Sequence, residues 1–415
     1  MPDQRRIVIT GFGAVTPLGL SLDETWQNLL KGMSGITPIA LFDASDLPVR
    51  IAGEVKGFDA TQYIDRKQVR RTSRTSHLAM AAAQMAVNDS GLDLSKIDPY
   101  SIGVSIGAGV AGLDKTIEGV MSIADGSTRA NPFGVVSSLA NMPAASIAAH
   151  FNAQGPNMTT VTACASGVQS IGEAAEIIRR GWANVMIAGG ADAPILRVSM
   201  LGFNAMGALA QSNDALTACR PFEAHRDGTV LAEGSAIVIL EEISHAQKRG
   251  ARIYAEVLSH ASNLDAHNIV EPDPTGNSAA NTMWAAIERS GLQPADISYI
   301  HAHGTGTRAN DLSETRGIKI VFGEQAYATP ISSIKSMMGH TLGAAGSIGV
   351  AVCVKAIIES WIPPTTNYTT PDPDCDLDYV PNVARRHAVT AALINAFGFG
   401  GQNACLVIRK TSEIS

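Results

Sequence analysis

The chain has 415 residues, 45% of them hydrophobic and only 17% charged, with a formal net charge of −7. Such a composition excludes extended disorder and argues for burial throughout, and the negative charge excludes wholesale affinity for nucleic acid. The length suits one large α/β domain or two medium ones.

In chain order, MPDQRRIVITGFG runs charged residues straight into an apolar strand, with no signal-peptide core. The expectation is a soluble, cytoplasmic protein. Next, DRKQVRRTSR (65–74) gathers basic residues, and positions 67, 70, 71 and 74 share one face if the segment is a single helix. On an acidic chain, Lys67, Arg70, Arg71 and Arg74 then form a patch for an anionic partner; a solvated face is the plainer reading. SIGVSIGAG (101–109) reads as a strand, and Gly107, Gly109 and Gly112 match G-x-G-x-x-G. The motif lacks a clear directly following strand with an acidic residue at its end, so a dinucleotide site is not expected.

The segment TVTACASGVQSIGEAAEIIRRG carries the strongest signal. A strand ends near Thr162, and from Ser166 the apolar spacing Val168, Ile171, Ala174, Ile177, Ile178 has helical period. Small residues crowd the junction, as a tight strand-to-helix turn requires. Cys164 therefore stands at a helix start, where free N–H groups favour a thiolate and can hold an oxyanion. A buried structural cysteine is the alternative. Cys219, Cys353, Cys375 and Cys405 are scattered, so neither a disulfide framework nor a thiolate metal cluster is expected.

Strands follow at NVMIAGGAD (184–192), SAIVILEE (235–242) and ISYIHAHGTGT (297–307). His301 and His303 share a strand face, and an H-x-H pair can ligate zinc, but no third ligand accompanies it and no metal is expected. Asp311 and Glu314 fall in the first turn of a following helix, where they either cap it or pair with Lys335. ISSIKSMMGHTLGAAG (331–346) places His340 in a second glycine-rich turn. The ammonium of Lys335, five residues earlier, opposes protonation of that ring. The apolar run from Thr341 to Ala351 reads as a packed helix and not a membrane span. NAFGFGG (395–401) presents Phe397 and Phe399 on a turn whose glycines let N–H groups point into a site. NACLVIRK (403–410) closes the chain as a strand. The strands at 297, 331, 391 and 403 echo those at 101, 161, 184 and 235, so two βαβ-rich halves are expected, 1–255 with the nucleophile and 256–415 with the histidines.

TACASG, GGADAP, CRPFEAHRDGTVLAEG, AHGTGT, KSMMGH and NAFGFGG together resemble the β-ketoacyl-acyl carrier protein synthases of the elongating, type II class, nearly end to end. The resemblance implies the thiolase fold, a duplicated αβαβα five-layer architecture. It implies Cys164 as acyl-carrying nucleophile, His303 and His340 for malonyl decarboxylation, and Lys335 as their electrostatic partner. Phe399 would be gate and second oxyanion N–H. Thr305 and Thr307 would touch the phosphopantetheine arm, with Phe397 beside the substrate and Val110 lining the acyl tunnel. Lys67, Arg70 and Arg71 would dock the acidic acyl carrier protein. Acyl and malonyl thioesters would be the substrates, with no cofactor beyond the phosphopantetheine that arrives on the carrier. A homodimer is implied, with a heterodimer carrying a non-catalytic chain-length subunit as alternative. Three positions depart from the usual pattern: Gly349 where housekeeping members carry Glu, Gly207 where an arginine is expected, and Val270 where a threonine is expected. DAHNIVEPDPTG and GTRANDLSE look closer to nodulation-type and aryl-polyene-type synthases, which points to a specialised pathway. A thiolase would need a second catalytic cysteine at the last glycine turn, whereas Cys405 lies beyond it in a strand.

Overall fold

IVITGFGAV is buried along nearly its whole length and forms β1 (Ile7–Val15), which lies next to the seam of the architecture. The computed structural model describes residues 5–411. Four further strands belong to the first half: β2 (Ile102–Gly107), β3 (Asn157–Thr160), β4 (Val185–Asp192) and β5 (Gly234–Glu242). Five more follow: β6 (Ala255–Leu264), β7 (Tyr299–His301), β8 (Ile331–Ser332), β9 (Ala391–Gly398) and β10 (Gln402–Arg409). They run in the order β8-β7-β9-β10-β6-β1-β5-β4-β2-β3. The two halves repeat one pattern about the β6–β1 seam. Numbered within its half, each reads 3-2-4-5-1 from its outer edge. The seam is short: Ile7, Val8 and Ile9 pair with Val257, Glu256 and Ala255.

Helices complete five layers. α1 (Arg74–Ser90) covers the outer face of the first half, and α3 (Asn277–Ser290) with α4 (Arg308–Phe322) covers that of the second. Between the halves lie α2 (Ser166–Arg179) and α5 (Ala345–Glu359), which touch each other and strands of both. β2, β4, β5 and β9 are buried on both sides almost throughout, which explains their near-continuous apolar runs. The thiolase-type αβαβα arrangement is therefore observed. Leu342–Glu359 is long and apolar enough to cross a membrane, but 89% of it is buried inside the protein; it is the central helix.

Two expectations need correction. The strand expected over 297–307 ends at His301, and HGTGT is loop. The segment 65–74 is not one helix: a single turn, Arg66–Val69, ends before Ser73, whose hydroxyl caps α1.

Candidate active site

The Cys164 turn is built as its small residues require. β3 stops at Thr160, a tight turn covers Ala163–Ala165, and α2 begins at Ser166. Ala163 adopts φ +49°, a left-handed conformation that a β-branched or bulky residue resists. Ser166 fixes the turn: its hydroxyl accepts the Thr162 N–H at 2.9 Å and donates to the Ala163 carbonyl at 2.7 Å. Cys164 is thereby presented 5% exposed, with Sγ 3.0 Å from Nε2 of His340.

His340 follows a short helical turn, Lys335–Met338. Its own N–H donates to the Val230 carbonyl at 2.7 Å and its carbonyl accepts from Ala232 at 2.9 Å, so its backbone is held like a strand residue. His303 stands just past β7. Its N–H and that of Gly304 both donate at 2.8 Å to the carboxylate of Glu314, which also accepts Asn395 Nδ2 at 3.0 Å. Asp311 holds the same loop, accepting from Gly306 at 3.2 Å and from Phe222 at 2.8 Å. Neither acid caps α4. Both face inward as the scaffold of the HGTGT loop, where they accept the N–H groups of His303, Gly304 and Gly306. Lys335 Nζ donates to the His303 carbonyl. Cys164, His303 and His340 bring their donor atoms within 4.8 Å of one another, without His301. The two imidazole centroids are 5.3 Å apart at 81°, and the Phe397 ring stands edge-on to His303 at 5.8 Å.

Burial governs the charges. Desolvation first, then the Lys335 ammonium, hold His303 and His340 well below the usual histidine range, so both rings are neutral. Burial also lowers Lys335, while Glu314 and other nearby acidic groups hold it up. Burial pushes the Cys164 thiol up to about 12, against the pull of Lys335 and of the N–H groups of Phe399 and Cys164. The standing thiolate expected from the helix start is therefore not the resting form; desolvation outweighs the turn's N–H groups.

Gly398 makes the last approach possible. A Cβ there would lie 2.8 Å from the Thr162 carbonyl and 2.9 Å from the Cys164 nitrogen. Without it, the Phe399 N–H joins that of Cys164 at the sulfur. The Phe399 ring is half-buried against Phe203, centroids 5.8 Å apart. A cavity of about 440 Å³ opens over Cys164, His303 and His340, with Thr305, Thr307 and the two phenylalanines in its wall. The threonine hydroxyls are 2.9 Å apart. Gly207 and Val270 also line it. Val110 does not; it packs instead in the apolar cluster that contains Cys164.

Away from the cavity, Lys67, Arg70 and Arg71 are exposed, and the Arg71 guanidinium sits 4.2 Å over the Phe133 ring. Arg74 leaves the patch, because its guanidinium is clamped by buried Glu233 at 2.6 Å on two nitrogens. The G-x-G-x-x-G segment is spoken for as well. The N–H groups of Gly109 and Val110, with that of Gly343, converge on Asp192 at 2.7, 3.0 and 2.7 Å. Asp192 was missed in the sequence; its one signal was an acid closing a strand with no polar neighbour. Burial pushes it up to about 6.

Comparison with known proteins agrees with this geometry. Residues 4–246 match the model of the β-ketoacyl synthase N-terminal domain, and residues 254–369 that of its C-terminal domain. A 3-oxoacyl-[acyl-carrier-protein] synthase 2 from Synechocystis sp. is 46% identical over 98% of this chain and 99% of its own. One from Staphylococcus aureus is 43% identical over 99% of each. Among solved structures, a type II PKS acyl-carrier protein in complex with its ketosynthase bound to the hexaketide superposes with a TM-score of 0.91, at 35% identity over 99% of this chain and 100% of that one. The ishigamide ketosynthase/chain length factor gives 0.92 at 33% identity, over 99% and 100%. With both domain models matched across most of its length, the chain belongs to the β-ketoacyl synthase family.

Proposed function

We propose that this enzyme, a 3-oxoacyl-acyl carrier protein synthase, runs its decarboxylative condensation through the Cys164, His303, His340 and Lys335 cluster. The observation that carries the assignment is one cavity placing a thiol 3.0 Å from an imidazole, with a second neutral imidazole beside it. In the first half-reaction Cys164 sulfur attacks an acyl-carrier thioester and gives up its proton as the new C–S bond forms and the carrier C–S bond breaks. The departing carrier thiol takes that proton. Splitting the transfer through an acyl-cysteine replaces one difficult encounter by two easier ones. In the second, the malonyl C–C bond breaks and carbon dioxide leaves. The electron pair moves onto the thioester oxygen, which the N–H donors of His303 and His340 hold. The enolate carbon attacks the acyl carbonyl, whose oxygen rests on the N–H groups of Cys164 and Phe399. The C–S bond breaks, and a proton from solvent restores the thiol. Lys335 keeps both rings neutral and so able to donate.

Thr305 and Thr307 in the cavity wall support contact with the phosphopantetheine arm, which arrives on the carrier; the enzyme brings no cofactor of its own. Phe397 stands beside the substrate, Phe399 gates the cavity, and Val110 borders the acyl chain. Exposed Lys67, Arg70 and Arg71 dock the acidic carrier. The two halves divide at 255/256, where β6 begins. β3 is a free sheet edge with Met158 exposed; Val161 just beyond it, Val120, Ile123 and Val135 are further exposed apolar residues, which supports a homodimer. A heterodimer with a chain-length subunit is the second reading, favoured by the likeness to the ishigamide pair. Gly207 and Val270 in the cavity wall support a specialised pathway in the cytoplasm.

Intact-protein mass after incubation with acyl-carrier tests the core of this. The wild-type chain gains one acyl group on Cys164; Cys164→Ala gains none and forms no β-ketoacyl product. Condensation by that variant refutes the assignment.

A further inference from the structure

His301 stands outside the cluster just described, yet its side chain is 2% exposed and neither ring nitrogen has a hydrogen-bond partner among the described residues. Burying both nitrogens unpaired is costly, so the residue needs a compensating role. On the opposing helix the ring faces a glycine. A Cβ placed on Gly349 would lie 2.8 Å from Cε1 and 2.9 Å from Nδ1 of His301, far inside ordinary carbon contact. The ring rests in room that exists only because position 349 lacks a side chain. β7 delivers His301 two residues before His303. α5 delivers Gly349 nine residues after His340. One contact thus joins the strand that leads to one catalytic histidine to the helix that follows the other.

The first half makes the corresponding contact differently. Ser105 of β2 meets Ser170 of α2: each hydroxyl bonds the other residue's carbonyl, at 3.0 and 2.7 Å, and the hydroxyls are 3.0 Å apart. Ser170 follows Cys164 by six residues, as Gly349 follows Gly343. Both turns are entered through a left-handed residue, Ala163 at φ +49° and Leu342 at φ +45°. Where the first half uses a satisfied hydrogen-bond pair, the second uses a bare ring seated on a glycine.

We propose that His301 and Gly349 form an interlock that sets the spacing of β7 against α5, and so of His303 against His340. His301 is then a positioning residue of the malonyl half-reaction. The inference rests on the condensation reading above. Acyl transfer needs the Cys164–His340 pair, whereas decarboxylation needs both imidazoles on one oxygen, so a disturbed spacing falls on the second step. The ring brings no charge to this buried corner. Burial, then the Lys335 ammonium, push His301 down to about 3, and edge-on packing at 6.5 Å from the Tyr299 ring completes its seat.

The test uses His301→Ala, Gly349→Ala and the double variant, with Cys164 acylation followed by intact mass and malonyl-carrier decarboxylation followed by kcat and KM. Misplacement of a few tenths of an ångström or more lowers decarboxylation kcat in Gly349→Ala by about tenfold, with KM and acylation within about twofold. The double variant recovers to within about threefold of His301→Ala, because the added methyl enters the vacated space. Losses that simply multiply in the double variant overturn the interlock, as do losses of equal proportion in both half-reactions. Should Gly349→Ala fail to fold, His301→Ala alone decides by the same split between half-reactions. Absence of decarboxylation by the wild-type enzyme sinks the condensation reading itself; normal variants beside an active wild type sink only the interlock.

Discussion

Glu314→Gln tests whether the HGTGT loop is held by a buried carboxylate. Three donors converge on that group: the His303 N–H and Asn395 Nδ2 on Oε1, and the Gly304 N–H on Oε2. These donors favour the carboxylate form, against the burial that pushes the group up. Glutamine keeps one acceptor but turns the other oxygen into an NH₂ group pointing at a buried N–H. Two charge-assisted bonds weaken to neutral ones, about 1 kcal/mol each, and one orphaned N–H costs about 1–3 kcal/mol. The buried Lys335 ammonium also loses the acid that most supports it, so a total of about 3–5 kcal/mol is expected. At roughly 2 °C per kcal/mol for a chain this long, the melting temperature falls by about 6–10 °C. Because the freed backbone carries His303, malonyl decarboxylation falls with it, while acylation of Cys164 is less affected. Calorimetry and the two half-reaction assays read both effects. A melting temperature within about 1 °C of wild type, with full decarboxylation, refutes the scaffold role.

Other outcomes follow from the same geometry. His303 and His340 work as neutral rings whose range lies well below the ordinary one, so decarboxylation stays level from about pH 8 to about pH 5.5. A limb near the ordinary histidine value contradicts this. Stability behaves differently: these two, with His301 at about 3 and His77 at about 4, bind protons more readily when unfolded. Below about pH 6.5 the unfolded state therefore gains protons first, and thermal stability falls steadily toward acid; a melting temperature constant down to pH 5 contradicts it. Reversing Arg70 and Arg71 to Glu raises KM for the carrier several-fold without lowering kcat, and the difference shrinks with added salt. An unchanged KM at low salt removes them from docking. Arg74→Ala leaves KM for the carrier unchanged but costs about 3–5 kcal/mol of stability, since buried Glu233 loses its partner. Denaturant titration measures it, and a loss below about 1 kcal/mol would show the pair to be idle.

Cys164 and both histidines were legible because each sits where a period changes beside small residues, and that junction is local. The acids were not. Asp and Glu three apart in a first helical turn are also the capping pattern, and only the position of the HGTGT loop decides that both face inward. Arg74 was misplaced for a related reason: helical spacing ran through Ser73, although a Ser whose hydroxyl accepts the helical N–H three residues later marks a fresh start. Asp192 is a charge closing an apolar strand, and its three N–H partners come from segments more than 80 and 150 residues away. The N–H of Val110 is tied by Asp192, and its side chain packs with the apolar neighbours of Cys164. No local pattern carries such convergence.

The second half keeps its own copy of the nucleophile turn, with Gly343 where the first half has Cys164. That copy has no thiol, and its N–H is not idle: it donates to the Asp192 carboxylate at 2.7 Å. The molecule thus contains an internal control. One of its two matching turns holds a carboxyl oxygen of Asp192, and this shows what the backbone of that turn is shaped to receive. In the mechanism proposed above, the other offers the same seat to a negative oxygen that lasts only as long as a carbon–carbon bond takes to form.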